Sequence, residues 1–468
     1  MIYRLRCFCL ILIASSPLQL LAQVYSLDSC VEMAMRSNKD IQAASHLAQR
    51  FQYESKALHA NFFPNISVQA VDMYSTLSGS AGYDLATPAS QFFVQRVVER
   101  YPTIMDQSYQ QYLTRSMASD LRPLNPDFEF KMKNFMQASV QVEQPIYMGG
   151  KITAGDKIGR LGARIAGLGV NLSREEVLVN VYDAYHLLVK AKELRIVALK
   201  YDSLLVQLTN DVQSALRHGM VSHNEELKVQ VKKNEAELKI RQAENGIRLA
   251  RMNLCQLVGL PLDTPIDTEQ DQDTTYIALI DRYATVEGRT EYQMLELKTR
   301  LAEQQVKLER YNLLPQIGIV GQAGMIDGLE MVGDKMFRHE PVVSVMAALK
   351  IPIFHANETR HKVAAAKQQL EQSRLEQESL REKLNLDLQQ QANQVDEAQL
   401  EITLCKRNLE QCAENLRICR SAYSVGYETL SELLTAQLLW QQAYAELVEA
   451  KYQMKTKMMK WRKAAGRL

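Results

Sequence analysis

Cys405, Cys412 and Cys419 recur every seven residues in a stretch free of Gly and Pro, a spacing that lines three thiols along one helical stripe. Thiols invite soft-metal ligation or disulfide exchange. A seven-residue step, however, is about 10 Å along a helix axis, too far for neighbours to bond or share a metal. Small apolar seam residues are the expected role, with no disulfide framework and no zinc site. The histidines, His46, His59, His186, His218, His223, His339, His355 and His361, are scattered without an HExxH pairing. His218 and His223 flank a glycine at spacing five, which suits neither a helical metal pair nor a catalytic arrangement. No phosphate-binding loop, nucleophile elbow or dinucleotide fingerprint occurs. The expectation is therefore no enzyme, no cofactor and no metal.

Two turns carry the most explicit local signals. Gly219 in Arg217–Ser222 and Gly426 in Ser424–Thr429 can take the left-handed conformation that ends a helix. Ser222 with Glu225, and Thr429 with Glu432, have capping-box spacing that restarts one. The expected return helices run over 222–258 and 429–464.

These turns belong to an internal repeat. Gly219 and Gly426 lie 207 residues apart, as do Pro145 in Gln144–Tyr147 and Pro352 in Ile351–Phe354. Phe63–Ile66 resembles Leu314–Ile317 at an offset of 251, and Lys39–Ile41 resembles Thr290–Tyr292 at the same offset. The first half thus carries an extra 44 residues between Pro64 and Pro145. Each half reads as helix, strand, strand, very long helix, turn and helix. From Ile353 to Val425 no Gly or Pro interrupts a Gln-, Glu-, Leu-, Ala- and Lys-rich run. A helix over most of it is about 100 Å long and needs neighbouring helices, as in a coiled coil. In the first half, Gly155, Gly159, Gly162, Ala166 and Gly169 form one small-residue stripe, expected to mark close helix packing. Shorter helices are expected over 27–38, 40–60, 274–285 and 291–312.

Four segments instead alternate with period two: 64–73, 134–145, 316–323 and 342–352. Ile66, Val68 and Ala70 oppose Asn65, Ser67 and Gln69; Ala138, Val140 and Val142 oppose Gln137, Ser139, Gln141 and Glu143. Val320 and Met346 interrupt the alternation in the second half. An ordinary sheet with one wet face fits this pattern, and so does a membrane barrel. Four strands cannot close a barrel, and an open edge in lipid leaves hydrogen bonds unmade, so a membrane location requires several chains. The first-half insertion, about 78–133, falls between two strands. In the barrel reading it is an enlarged, extracellular loop, with helical character over 92–101 and an irregular stretch at 122–126.

At the N-terminus Arg4 and Arg6 precede the apolar run Cys7–Ile13, and Leu20–Gln23 resembles the end of a signal peptide, taken here as residues 1–22. The chain of 468 residues balances 55 basic against 54 acidic side chains, a net charge of +1 that excludes nucleic-acid binding by bulk positive charge. No later segment has the run of about 18 apolar residues that a spanning helix needs.

Taken together, the opening Ser26–Ala34, the pre-strand Phe63-Pro64, the Gln144–Gly150 segment and above all the hairpin Tyr423–Leu434 resemble the TolC-like family of outer-membrane efflux and secretion channels. The resemblance covers 27 to about 466. It implies a mainly α protein with a small β part, whose long coiled-coil hairpins and four strands per protomer assemble as a homotrimer with a 12-stranded barrel and a periplasmic helical tunnel. It divides the chain into residues 1–22, a first repeat over 23–263 and a second over 264–468. It implies an outer-membrane exit duct of a Gram-negative tripartite efflux or type I secretion system. The partners would be outer-membrane lipid, a periplasmic adaptor (membrane fusion) protein and an inner-membrane RND, ABC or MFS transporter. It also places Gly219, Val221, Ser222, Gly426, Tyr427 and Thr429 on the adaptor-docking tips. Glu432, Thr435, Tyr423 and Glu225 fall at the constriction. Three Glu432 carboxylates facing one axis are expected to repel one another and so to have raised pKa values. Thr435 replaces the second acidic residue of the family pattern, and Glu428 replaces a basic one. The alternative expectation is a periplasmic coiled-coil adaptor or scaffold without a barrel.

Overall fold

The structure, a computed structural model, describes residues 23–79, 86–100, 107–121, 130–269, 280–281, 284–328, 330–331, 334–335, 338–354 and 356–468. The expected signal peptide and the irregular stretch at 122–126 lie outside them. The described residues form two compact units, one holding those within 23–55, 157–303 and 367–468, the other those within 56–156 and 304–366. Helices dominate the first and a sheet dominates the second.

In chain order the elements are β1 (Gln23–Tyr25), α1 (Leu27–Ser37), α2 (Lys39–Ala60), β2 (Asn65–Gly79), α3 (Ala86–Arg100), α4 (Gln107–Leu121), β3 (Phe130–Tyr147), α5 (Lys151–Arg217) and α6 (His223–Val258). They continue as β4 (Ile266–Thr268), a 3-10 turn at Val286–Gly288, α7 (Thr290–Tyr311), β5 (Gln316–Asp327), β6 (Glu330–Met331), β7 (Asp334–Lys335), β8 (Glu340–Lys350), α8 (Glu358–Ser424) and α9 (Leu430–Ala464). Helices α5 and α8 have 67 residues each, and α2 and α7 have 22 each. Unbroken helix-forming sequence sets the long lengths, because nothing inside either run removes a backbone donor.

Three differences from the sequence expectation are local. The helix expected at 274–285 is absent where it is described: residues 280–281 and 284–285 are irregular. There Ile280 and Ala284 pack against the cluster of Val395, Ala398, Met454 and Trp461, so tertiary contact overrides propensity. A short parallel pair, β1 with β4, was not expected; Lys192 Nζ anchors its β4 strand by donating to Asp267 Oδ1 at 2.8 Å and to the Thr268 carbonyl at 3.1 Å. The insertion is shorter than 78–133 because β2 runs on to Gly79 and β3 starts at Phe130, and it holds a second helix, α4, beside α3.

The helical unit has separate apolar clusters. One joins Cys30 and Ala34 of α1 to Val181, Tyr185 and Leu188 of α5 and to Leu254, Cys255 and Val258 of α6. Cys30 and Cys255 are free and buried; burial pushes the Cys30 thiol up to about 11 and raises Cys255, so both remain protonated fillers. Along α8 the Cys412 and Cys419 thiols donate to Asn408 Oδ1 at 3.8 Å and Asn415 Oδ1 at 3.7 Å, one turn back. The glycine stripe of α5 packs less closely within the protomer than expected. A Cβ on Gly162 would touch Phe51, but at Gly155 and Gly169 it would meet nothing.

In the sheet unit the long strands run antiparallel in the order β2-β3-β5-β8, with the short β6 pairing with the first two residues of β3 and β7 with β6. Gly324 of β5 lies where any Cβ would overlap the Ala138 carbonyl oxygen and the Ser139 backbone, so only glycine permits this strand approach.

Candidate functional site

The two tips are built by the same local chemistry. After α5 the Met220 N–H donates to the Ala215 carbonyl at 2.9 Å and the Gly219 N–H to Leu216 at 2.9 Å. After α8 the Tyr427 N–H donates to Ala422 at 2.9 Å and the Gly426 N–H to Tyr423 at 3.1 Å. This paired pattern is a Schellman ending, and the φ values of +70° at Gly219 and +82° at Gly426 explain the residue type. Beneath the turns, Tyr201, Leu205, Leu208 and Val212 of α5 pack with Val229 and Ala236 of α6 and with Leu430, Leu433 and Leu434 of α9. Val221, Leu416, Cys419 and Tyr423 pack on the edge of this cluster, so both hairpin tips share one core.

The restarts differ. Thr429 and Glu432 form the expected capping box, but Ser222 makes no side-chain cap. Glu225 therefore does not act as a capping partner, and the first turn of α6 instead pairs His223 Nδ1 with Glu226 Oε2 at 3.0 Å. The structure brings Tyr423 into the field of Glu225 and of Asp211. Burial raises the Tyr423 phenol, and those two carboxylates raise it further. Asp211 was not singled out from sequence, because its place beside Tyr423 depends on how α5 and α8 pack.

Glu432 has charge-stabilising neighbours within its own protomer. Its pKa is lowered to about 2, first by the Thr429 hydroxyl, then by the Thr429 N–H and by Glu428, whose own pKa is raised by Glu432. Within the protomer this carboxylate is a committed helix cap, and hydrogen bonds to its charged form decide the direction. Thr435 is exposed and donates its hydroxyl to the Ser431 carbonyl at 2.7 Å, so it offers the surface no fixed donor. Gly219, Ser222, Gly426, Tyr427 and Thr429 are exposed, whereas Val221 is half-buried. Tyr427 is 88% exposed, and Met220 and Val425, overlooked in the sequence, are exposed apolar residues beside the two glycines. Their position next to each turn glycine was the available signal.

The sheet is inside out. Residues opposite one another share a face, so the register assembles whole rungs: Ile66, Val142, Gly321 and Val345, then Val68, Val140, Ala323 and Val343. Between them on the other face runs the rung Ser67, Gln141, Gln322 and Ser344. The apolar side is the exposed one: Val68, Val343 and Val345 are each at least 75% exposed, while Ser139 and Gln141 are 5% exposed. Gln322 Nε2 donates to Ser139 Oγ at 2.8 Å, and Gln141 donates to Glu143. The interruptions Val320 and Met346 are direct partners on the polar side. A water-soluble sheet would bury its valines; this one shields its amides and presents valine outward.

No group of His, Cys, Asp or Glu among the described residues could hold a metal ion. No described helix is long and apolar enough to cross a membrane.

Residues 284–467 match the model of the outer membrane efflux protein family. The fold matches the outer membrane protein VceC of Vibrio cholerae with a TM-score of 0.74 at 13% identity, over 94% of this chain and 96% of that one. It matches the Campylobacter jejuni CmeC outer membrane channel with a TM-score of 0.74 at 15% identity, over 94% and 85% of the two chains. The open state of the Neisseria gonorrhoeae MtrE outer membrane channel matches with a TM-score of 0.72 at 13% identity, over 94% and 88%. No curated protein sequence matches the chain. Residues 284–467 are thus similar to outer membrane efflux proteins, and the fold of nearly the whole chain is that of outer-membrane channels. The resemblance to TolC-like channels read from the sequence is borne out, by family over the second half and by fold over nearly all of the chain.

Proposed function

We propose that three copies of this chain form the exit duct of a tripartite efflux or type I secretion system, conducting substrate passively across the periplasm and outer membrane. The observation that carries the reading is the inverted sheet, whose outer edges on β2 and β8 have no partner strand among the described residues of one protomer. An exposed valine face fits lipid, and lipid does not tolerate open edges, so β2 and β8 must find partners on other copies. Copies related by rotation give a closed ring, and three copies of four long strands give twelve.

Helix surfaces support the same assembly. Leu227, Val231, Leu238 and Leu249 of α6 are exposed at steps of four, seven and eleven. Leu386, Leu400, Leu404 and Ile418 of α8 are exposed at steps of fourteen, four and fourteen. Both are coiled-coil spacings without an apolar partner face in the protomer's clusters, as expected if neighbouring copies complete a periplasmic tunnel. In this reading the chain comprises two structural repeats, 23–263 and 264–468, after a cleaved 1–22. The tips carrying Gly219, Val221, Ser222, Gly426, Tyr427 and Thr429 dock a periplasmic adaptor, and Tyr423, Glu225, Glu432 and Thr435 line the narrow end. An inner-membrane transporter supplies the energy.

Extraction of the full chain from outer membranes tests this. The expected result is detergent-dependent release of a heat-modifiable trimer that conducts ions in a planar bilayer. Recovery as a soluble periplasmic protein would overturn it in favour of an adaptor or scaffold.

A further inference from the structure

The helical pair α3–α4 follows β2 out of the sheet, and a polar contact ties α3 back to that strand. Arg96 of α3 donates from Nη2 to Met73 Sδ at 3.5 Å, and its guanidinium also lies 5.8 Å from the centre of the Phe92 ring. Met73 is in phase with Ser67 and Gln69, on the polar side of β2, and pairs with Phe135. Residue 96 therefore reaches back to a point six residues before the end of β2, on the shielded side of the sheet rather than out beyond it. On the same side Ser139 and Gln141 are buried two and three rungs further in. Ser90 and Val94, one turn apart on α3, are buried, as is Ala118 of α4, so the pair has an inner face of its own. It also has an apolar surface that faces solvent in the protomer. Phe93 and Val97 form an exposed stripe on α3, and Tyr112, stacked on Tyr109 at 6.3 Å, is 66% exposed on α4.

Resting on the trimeric barrel proposed above, we infer that this surface is an interface between copies of the chain: three α3–α4 pairs lean inward from the barrel rim and meet over its axis through Phe93, Val97 and Tyr112, forming a cap across the mouth. The polar side of a closed sheet faces the axis, and the groups met there are the same surfaces of the other copies. The dimensions agree. Twelve strands about 4.8 Å apart and tilted by about 40° enclose a barrel of radius about 12 Å. A 15-residue helix is about 22 Å long, so an inward-leaning pair reaches its counterparts. Aromatic side chains are suited to such a contact, since each buries a large apolar area with few rotatable bonds. The extracellular loop expected from sequence thus becomes a restriction on the lumen side of the mouth.

The test uses the full-length trimer with exposed residues replaced, so that folding is spared. Tyr112→Cys, treated in the membrane with an added thiol oxidant, is expected to give covalent dimers, one disulfide between two of the three copies, that the unaltered chain and the Tyr53→Cys control do not give. Phe93→Ser combined with Tyr112→Ser is expected to raise single-channel conductance about twofold or more, as a narrow polar-accessible mouth widens. A heat-modifiable trimer that conducts, yet shows neither the cross-link nor the conductance change, would overturn the cap and leave the channel standing. Failure to find any trimer would overturn both readings.

Discussion

Thr429 and Glu432 cap one another at the restart after the second tip. The Glu432 carboxylate accepts from the Thr429 N–H at 2.9 Å and from its hydroxyl at 2.7 Å, and the Thr429 Oγ1 in turn accepts from the Glu432 N–H at 3.3 Å. The corresponding serine at the first tip, Ser222, leaves its side chain uncommitted. The two tips share a backbone geometry but not a cap. Thr429→Ala should destabilise the helical unit by about 1 kcal/mol, a typical cap loss, whereas Ser222→Ala should change little. Thermal melts of the two purified variants check this; equal shifts would contradict it.

The same carboxylate is expected to act in conduction. Glu432→Ala should weaken block by divalent cations in single-channel recordings, because it removes one negative group per copy from the narrow end. Thr435→Ala should leave the block unchanged, since its hydroxyl is already bonded to its own helix. An unaltered block in the Glu432 variant would remove that residue from the constriction.

Adjacent residues of β8 should respond oppositely to the same change. Val343 lies on the outward rung with Ala323 and Val140, while Ser344 lies on the polar rung with Gln322 and Gln141. Val343→Lys puts a charge into lipid at a cost of about 2–4 kcal/mol near mid-membrane and should reduce the yield of heat-modifiable trimer. Ser344→Lys should assemble normally and shift reversal potentials toward anion preference. A one-residue difference reads out which face is wet.

Arg289 is buried and bridges two carboxylates, Asp387 Oδ2 at 2.8 Å and Glu291 Oε1 at 3.1 Å. Burial alone would raise the Glu291 pKa, but the hydrogen bonds and charge of Arg289 outweigh it and leave the group below its ordinary value of 4.5. A depressed carboxylate contributes stability that is fully present above pH 4.5 and is lost as pH falls through the folded value. The melting temperature should therefore drop more steeply below pH 4.5 in the unaltered protein than in Glu291→Gln, which should start lower at neutral pH. Parallel acid profiles would show that the bridge contributes nothing.

At the docking tips, Tyr427→Ala should abolish substrate export while leaving trimer yield and bilayer conductance intact, because the ring is exposed and supports no core. Co-purification with the adaptor after mild cross-linking is the direct measurement. Retained export would remove Tyr427 from the docking surface.

Much of this protein is legible in its sequence because the deciding signals are short-range. A glycine followed by Thr429-x-x-Glu432 ends and restarts a helix by contacts within six residues, and alternation at Ile66–Ala70 assigns faces without knowledge of the partner strand. The long helices follow from composition alone. Other features depend on contacts between residues far apart in the chain, which no local pattern encodes. The β1–β4 pair joins residues more than 240 positions apart, and the pairing of Val320 with Met346 turns two apparent interruptions into one rung. Packing against α8 and α9, not propensity, decides that Ile280 and Ala284 are not helical. Ser222 and Thr429 have equivalent spacing, yet only the Thr429 side chain makes the cap. For α3–α4 the sequence determined a helix near Phe92 and no more. That this helix turns back toward Met73, on the polar side of the sheet, is decided by a contact between side chains, and a contact is a property of the folded chain.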